Sequence, residues 1–371
     1  MAWNVSSLEE FKTSMYLNFL GFTEVVLNTF DIFKHRWMGI KRHTNKPSDL
    51  SGTCALITGS NAGVGKATAE ELVRRGSNVV LACRDLDKAV AVAKELETVQ
   101  PYYDTRGSVQ VVKVDLSSLD SVKDFISHLV NEKKKTVLFD YIILNAGIMA
   151  PPKRMESVDG YELQFQVNFL SHFVIAHELL RRQRQHYIDK KIRPRCVFLT
   201  SLTHHGATLK KDLSGDLQAL GQYNAFKCYS NSKLAQVLAA KEFHRRMTEE
   251  GSGGGGRKKR ANAFPPGSAT ALHPGIVQTY LAQQFFINAL PSVIRPVAAP
   301  IFEKYIFPLV LREPRDAAEI VVYAATAPDS VVGGKYVQDG VVVPSSAASN
   351  DPVLAKELWI KAETLGGVDP V

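Results

Sequence analysis

The stretch "CALITGSNAGVGKATAEELVRRG" (54–76) constrains this chain more than any other. A short apolar run passes directly into a turn carrying Gly59, Gly63 and Gly65. The turn opens a helical pattern that ends at Gly76. A strand feeding a helix through a glycine turn is the first half of a βαβ unit, and it requires another strand to lie beside the first.

The rest of the chain supplies those strands. "NVVLACR" (78–84), "VQVVKVDL" (109–116), "YIILNAG" (141–147), "RCVFLTS" (195–201) and "SATALHPG" (268–275) follow, with helical patterns around 87–99, 119–134, 161–186 and 227–247 between them. The runs are nearly continuous in apolar residues, as expected for strands buried on both faces of a parallel sheet. The predicted fold is α/β: one Rossmann-type doubly wound parallel sheet with helices on both faces, spanning 47–371, and a helical extension over 1–46. A weaker run, "KYVQDG" (335–340), would close one edge. With 371 residues, 45% of them hydrophobic, the chain can bury such a core. Residues 251–267, opening with "GSGGGGRKKR", read as a surface insertion in a helix-to-strand connection.

Charge excludes less than it suggests. The net charge is +8, and half of that surplus can be assigned to "RKKR" (257–260) behind a glycine tract, which reads as a solvated loop. No folded face interleaves basic and aromatic residues, so nucleic acid is not an expected partner. Cys54, Cys83, Cys196 and Cys228 lie far apart without a CxxC or a Cys/His cluster, so neither disulfides nor a metal site is expected. The setting is a reducing, intracellular one.

The N-terminal stretch 15–43 is rich in large apolar residues but broken by Glu24, Asp31 and Lys34, which argues against a membrane-spanning helix. It carries no cleavable signal. Two readings stand: an amphipathic helix on the surface of the endoplasmic reticulum or another organelle membrane, or a helix packed on the main domain.

The glycine turn follows G-x-x-x-G-x-G spacing, where the backbone can approach a pyrophosphate at a helix N-terminus. At the tip of the second strand, Arg84 favours the 2′-phosphate of NADP(H), although Asp85 beside it is the residue type that binds the ribose of NAD. Lys66 is a second candidate cation.

"TGSNAGVG", "LNAG" (144–147), "NFLSHF" (168–173), "FLTS" (198–201), "YSNSK" (229–233) and "HPGIVQT" (273–279) fall in the order of the short-chain dehydrogenase/reductase family. The chain resembles that family over about 50–365, and its retinol-dehydrogenase-like branch in the first two βα units. The resemblance implies that Tyr229 is the general acid/base and that Lys233, one helical turn away, lowers the phenol's ordinary pKa of about 10. Lys233 would also hold the nicotinamide ribose. Ser201 would bond the substrate oxygen, and Asn168 would hold a water connecting Lys233 to a proton relay. Cofactor contacts are implied at Ser60, Asn61 and Val64, at Asp115 and Leu116, and at Asn145, Ala146 and Gly147. Beyond the turn at Pro274 and Gly275, the backbone near Ile276 and Val277, together with Thr279, would meet the carboxamide. Two positions depart from the family pattern, Leu144 before "NAG" and Thr200 before Ser201. His204, His205 and His273 read as solvated loop residues.

Residues 280–312, apolar and broken by Pro291, Pro296, Pro300 and Pro308, occupy the family's substrate-lid position. They suit a lipophilic alcohol or carbonyl of retinoid, isoprenoid or steroid type, or else helices burying an ordinary core face. A homodimer through the Tyr229 helix is expected from the family, with Ala235, Ala239 and Ala240 allowing close approach. Two further functions compete with the leading one. One is an NADPH-dependent double-bond reductase of the same fold; the other is a cofactor-binding redox sensor or scaffold with little catalysis.

Overall fold

A computed structural model describes residues 47–130, 137–209, 213, 218–219, 223–249, 264–279, 287 and 295–371. The N-terminal extension, most of the insertion and the first half of the lid lie outside the described residues. Eight strands form one sheet: β1 (Cys54–Thr58), β2 (Asn78–Cys83), β3 (Val109–Lys113), β4 (Tyr141–Leu144), β5 (Arg195–Leu199), β6 (Ser268–His273), β7 (Tyr336–Gln338) and β8 (Val341–Val343), in the order 3-2-1-4-5-6-7-8. Seven run parallel. The eighth returns antiparallel through a tight turn, an edge that the sequence reading did not include.

Successive residues of each strand point to opposite faces, and both faces are covered. From β1, Ala55 and Ile57 face α1 (Gly63–Arg74), α2 (Leu86–Leu96) and α6 (Pro314–Thr326). Leu56 faces α3 (Leu119–Leu129), α4 (Ser171–Arg182), α5 (Ala225–Glu249) and α7 (Pro352–Gly366). On that second face Phe173, His177, Phe243 and Phe264 pack around Trp359, and the Arg246 guanidinium lies 4.0 Å over its indole. This doubly wound arrangement places the C-terminal ends of β1, β4, β5 and β6 along one rim, where the chain reverses direction across the sheet and ligands bind in such folds.

α5 is buried along most of its length, including every residue from Cys228 to Ala240, and α7 packs across it. Ala235, Ala239 and Ala240 belong to the protomer's own core. Their small side chains admit neighbours within the fold, so they are not the close-approach surface for a second copy that the sequence suggested. Among the described residues, no helix is long and apolar enough to cross a membrane.

Candidate active site

The glycine turn is rigid from below. Asn145 donates through Nδ2 to the carbonyls of Thr58 (2.8 Å) and Gly59 (3.2 Å), and Gly59 holds φ +65°. A Cβ on Gly65 would lie 2.5 Å from both Asn145 Nδ2 and the Gly59 oxygen, so only glycine fits there. The Ser60 hydroxyl turns inward to the Ile57 carbonyl (3.0 Å), which leaves its backbone for any ligand. α1 starts at Ala62 without a side-chain cap and without an acid in its first turn. By contrast α2, α3 and α7 are capped by Asp85, Ser118 and Asp351. The first N–H groups of α1 are therefore left to meet an anion such as a pyrophosphate. Thr279 closes over this end: its Cγ2 is 3.0 Å from where a Gly63 Cβ would sit. The glycine turn 59–65, the uncapped start of α1 and the loop 274–279 form a cradle that fits a dinucleotide.

At the β2 tip, Arg84 is exposed. The Asp85 carboxylate accepts from the Lys88 N–H (3.1 Å) and pairs with Lys88 Nζ (3.0 Å). The Lys88 backbone bond, first, and then its ammonium group hold the carboxyl below the usual range. Asp85 is thereby committed to starting α2. Lys66 pairs with Glu95. Asp115 accepts from both the N–H (2.9 Å) and the hydroxyl (2.7 Å) of Ser117, a local turn that occupies one carboxylate oxygen. Buried Leu116 lends its carbonyl to Ser171 (2.7 Å).

The four residues assigned to chemistry lie just beyond the end of β5, on α5, and on a π turn (Gln166–Leu170) that enters α4. Lys233 Nζ is 5.5 Å from the Tyr229 ring centre. It donates to the carbonyl of Leu199 (2.9 Å) and to Gln236 Oε1 (3.0 Å). A lysine has three donors, so these partners leave one for a ligand. A Cβ on Gly147 would lie 3.3 Å from Asn168 Oδ1 and 3.6 Å from Lys233 Nζ, so these three residues share one corner. Burial alone pushes the Lys233 ammonium down to about 7. Thr200, the departure from the family's serine, uses its hydroxyl to bond the Lys233 carbonyl (2.7 Å) and ties the end of β5 to α5.

A continuous hydrogen-bond chain joins the glycine turn to Lys233. Thr58 Oγ1 accepts from the N–H groups of Asn145 (2.9 Å) and Ala146 (3.0 Å). With both lone pairs used, its own proton goes to His172 Nε2 (2.9 Å). His172 therefore carries its proton on Nδ1 and donates to the Asn168 carbonyl (3.0 Å). Burial, the largest influence, pushes its pKa down to about 3, so the ring stays neutral. Gln236 Nε2 donates to the same carbonyl (2.7 Å), while its Oε1 receives Lys233. The Asn168 side chain meanwhile clasps both the N–H (2.8 Å) and the C=O (3.0 Å) of Ile148 and donates to Ser232 (3.0 Å). Gln236 thus links the Asn168 carbonyl directly to Lys233. Thr58, His172 and Gln236 were not among the predicted site residues. Gln236, one helical turn beyond Lys233, was the one that spacing could have flagged.

The histidines correct the sequence reading. His204 is fully buried and His273 is 5% exposed, so they are not solvated. His204 Nε2 accepts from the Ser346 N–H (3.1 Å), which leaves Nδ1 to donate to the Ser201 carbonyl (2.7 Å). Desolvation, the leading cause, pushes this ring down to about 3 as well. Ser201 is thus braced from behind by a neutral imidazole, while its Oγ faces the Thr203 N–H (3.3 Å). All four cysteines are reduced; burial pushes Cys54, Cys196 and Cys228 up to about 12. Among the described residues, no group of His, Cys, Asp and Glu could hold a metal ion.

Comparison with known proteins bears on this arrangement. Residues 53–205 match the family model described as short chain dehydrogenase. The chain is 33% identical to retinol dehydrogenase 13 of Homo sapiens, covering 86% of each chain. It is 32% identical to human retinol dehydrogenase 11, covering 85% of this chain and 87% of the relative. Among solved structures, an uncharacterized protein from Mycobacterium paratuberculosis superposes with a TM-score of 0.61 at 28% identity, covering 87% of this chain and 97% of that one. Levodione reductase gives 0.55 at 18% identity, covering 78% and 97%. The latter likeness concerns the fold.

Proposed function

The chain belongs to the short-chain dehydrogenase/reductase family, in its retinol-dehydrogenase-like branch, and is an oxidoreductase; on that premise we propose that it is NADP(H)-dependent and interconverts a lipophilic alcohol and its carbonyl. The observation that carries the chemistry is Lys233, buried on α5 beside Tyr229 with one donor to spare. When bound, the nicotinamide cofactor supplies or accepts the hydride. The protein's own work is to move a proton and to hold the substrate oxygen. Tyr229 gives its phenolic proton to the carbonyl oxygen during reduction and takes it back during oxidation. A phenol of ordinary pKa near 10 does this slowly at neutral pH, and the Lys233 cation assists by favouring the phenolate. Ser201, fixed through its carbonyl by His204, presents its hydroxyl to the same oxygen. The network from Thr58 through His172 and Gln236 keeps Lys233 aimed.

The NADP(H) preference rests on two features of the β2 tip. Arg84 is free to meet a 2′-phosphate, and the Asp85 carboxylate is occupied at the start of α2. Lipophilic substrates are supported by the names of the relatives, retinol dehydrogenases, and by the described part of the lid. There Val297, Ile301, Tyr305 and Leu309 are exposed at four-residue intervals. Such a surface suits peripheral contact with an intracellular membrane. A homodimer belongs to this reading, formed through surfaces other than Ala235, Ala239 and Ala240, which the protomer's own core buries.

The test is direct. The full chain is mixed with NADPH or NADH and a panel of retinal, isoprenoid and steroid carbonyls, with Tyr229→Phe as the control. Turnover with NADPH that drops by roughly 10²–10⁴-fold in the variant is expected, the usual contribution of a positioned acid. Cofactor binding without turnover on any carbonyl, or turnover indifferent to Tyr229→Phe, overturns the reading.

A further inference from the structure

Arg312 stands at the far end of the 280–312 segment, and its side chain is 1% exposed. A buried guanidinium is costly unless its donors are met. Here Nη1 donates to the Pro274 carbonyl (3.0 Å) and pairs with Asp339 Oδ1 (2.6 Å). The main chain of Arg312 runs alongside the same loop: its N–H donates to the Ile276 carbonyl, and the Gln278 N–H donates to its own carbonyl, both at 2.8 Å. Gly275 lies flat on the guanidinium. A Cβ there would sit 2.9 Å from Nη1 and 3.0 Å from Cζ, and φ is +85°. The loop 274–279 is thus bolted at its start by Arg312, while its end, Thr279, rests on the glycine turn at Gly63. Asp339 is presented from the turn between β7 and β8. One planar cation therefore joins the end of the lid segment, the loop after β6 and the closing edge of the sheet. A lysine, with its flexible point charge, would not supply that flat face.

We propose that Arg312 is a positioning residue for the nicotinamide end of the cofactor, acting through Pro274–Thr279, with Asp339 as its anchor. This rests on the cofactor reading above. The adenine end would be held by the glycine turn and the β2 tip, away from the Pro274–Ile276 backbone that Arg312 grips, so the two ends of the dinucleotide should respond differently to its loss.

Binding is measured for NADPH and for adenosine 2′,5′-bisphosphate, which has the adenine end and no nicotinamide, on the full-length wild type, Arg312→Met and Asp339→Asn. Arg312→Met is expected to weaken NADPH at least tenfold and the fragment by less than twofold, with Asp339→Asn intermediate for NADPH. If Arg312→Met does not fold, Asp339→Asn decides on the same contrast. Variants that bind NADPH like the wild type overturn the proposal, as do variants that lose both ligands in parallel, because the arginine would then serve the fold as a whole. A wild type that binds neither NADPH nor NADH removes the cofactor reading, and this proposal with it. That result is distinct from unchanged variants on a competent wild type.

Discussion

Raising the pH from 7 to 9 should weaken cofactor binding through Lys233, and the size of the effect follows from its surroundings. In the cofactor-free protein the ammonium is buried, with a carbonyl and an amide oxygen as its described partners, and its pKa falls from 10.5 to about 7. A ribose hydroxyl accepting its remaining N–H favours the charged form and draws the pKa back toward its ordinary value. Cofactor binding must then take up a proton. Each unit of pH above 7 costs about tenfold in affinity, or 1.36 kcal/mol, until the bound form also titrates, so pH 9 should show a loss approaching 100-fold. Calorimetry at pH 8–9 in buffers of different ionisation enthalpy reads the proton uptake directly; at that pH a 2′-phosphate, like other phosphate monoesters with a second pKa near 6, is already ionised. The sign can be checked in the apo protein as well. The unfolded chain binds the extra proton between pH 7 and 10.5, so stability rises with pH across that window and is lost as pH falls toward 7. Lys233→Met should therefore gain stability relative to wild type at pH 6, keep only part of that advantage at pH 9 and lose the rest as the pH approaches 10.5. No proton uptake in the wild type, or equal uptake in Lys233→Met, would refute the reasoning.

Other consequences are as concrete. Arg84→Ser should shift the NADPH/NADH ratio of kcat/KM by roughly 10–100-fold, the worth of one hydrogen bond to a charged group (about 1.5–3 kcal/mol); an unchanged ratio places the phosphate elsewhere. Gly65→Ala must force its new methyl against Asn145 and the Gly59 carbonyl, so chemical denaturation should show a loss of about 1–3 kcal/mol with weakened cofactor binding, whereas wild-type stability would mean that the turn yields. His204→Ala leaves the Ser346 N–H and the Ser201 carbonyl without this partner. It should lower kcat about tenfold or more while cofactor affinity holds, with His204→Gln partly restoring it. Because the wild-type ring is held neutral to about 3, His204 should contribute no inflection to the activity profile between pH 5 and 8.

The fold was legible because its determinants are local. Apolar strands, a glycine turn and helical periodicity recur in chain order and imply a parallel sheet covered on both faces, whereas the strand order 3-2-1-4-5-6-7 is set by which strands pair in three dimensions. The eighth strand was missed because "VVV" after a two-residue turn is too short to carry a pattern. Which residues support the catalytic set was less readable. His204 follows Ser201 by three residues and looks like a loop histidine. It is buried because the segment around Ser346, 142 positions later in sequence, lies over it. Arg312 pairs with Asp339 in the turn after β7, and Asn168 on the π turn meets Gln236 on α5. Such partners are set by tertiary approach, for which a single sequence has no period to show. The alanines of α5 failed in the opposite sense: small residues signal close packing but not whose helix packs.

The hydrogen-bond chain from Thr58 to Lys233 has a consequence for how this enzyme can diverge. It ties the floor of the glycine turn to Lys233 through β1, α4 with the π turn before it, and α5. Arg84 and Asp85, at the end of β2, are not part of it. In the proposed function, the choice of dinucleotide and the proton transfer would therefore rest on separate groups of residues on one sheet. Redesign toward NADH at the β2 tip should carry little penalty in turnover, whereas a change at Thr58, His172 or Gln236 would disturb the protonation equilibrium with every dinucleotide alike.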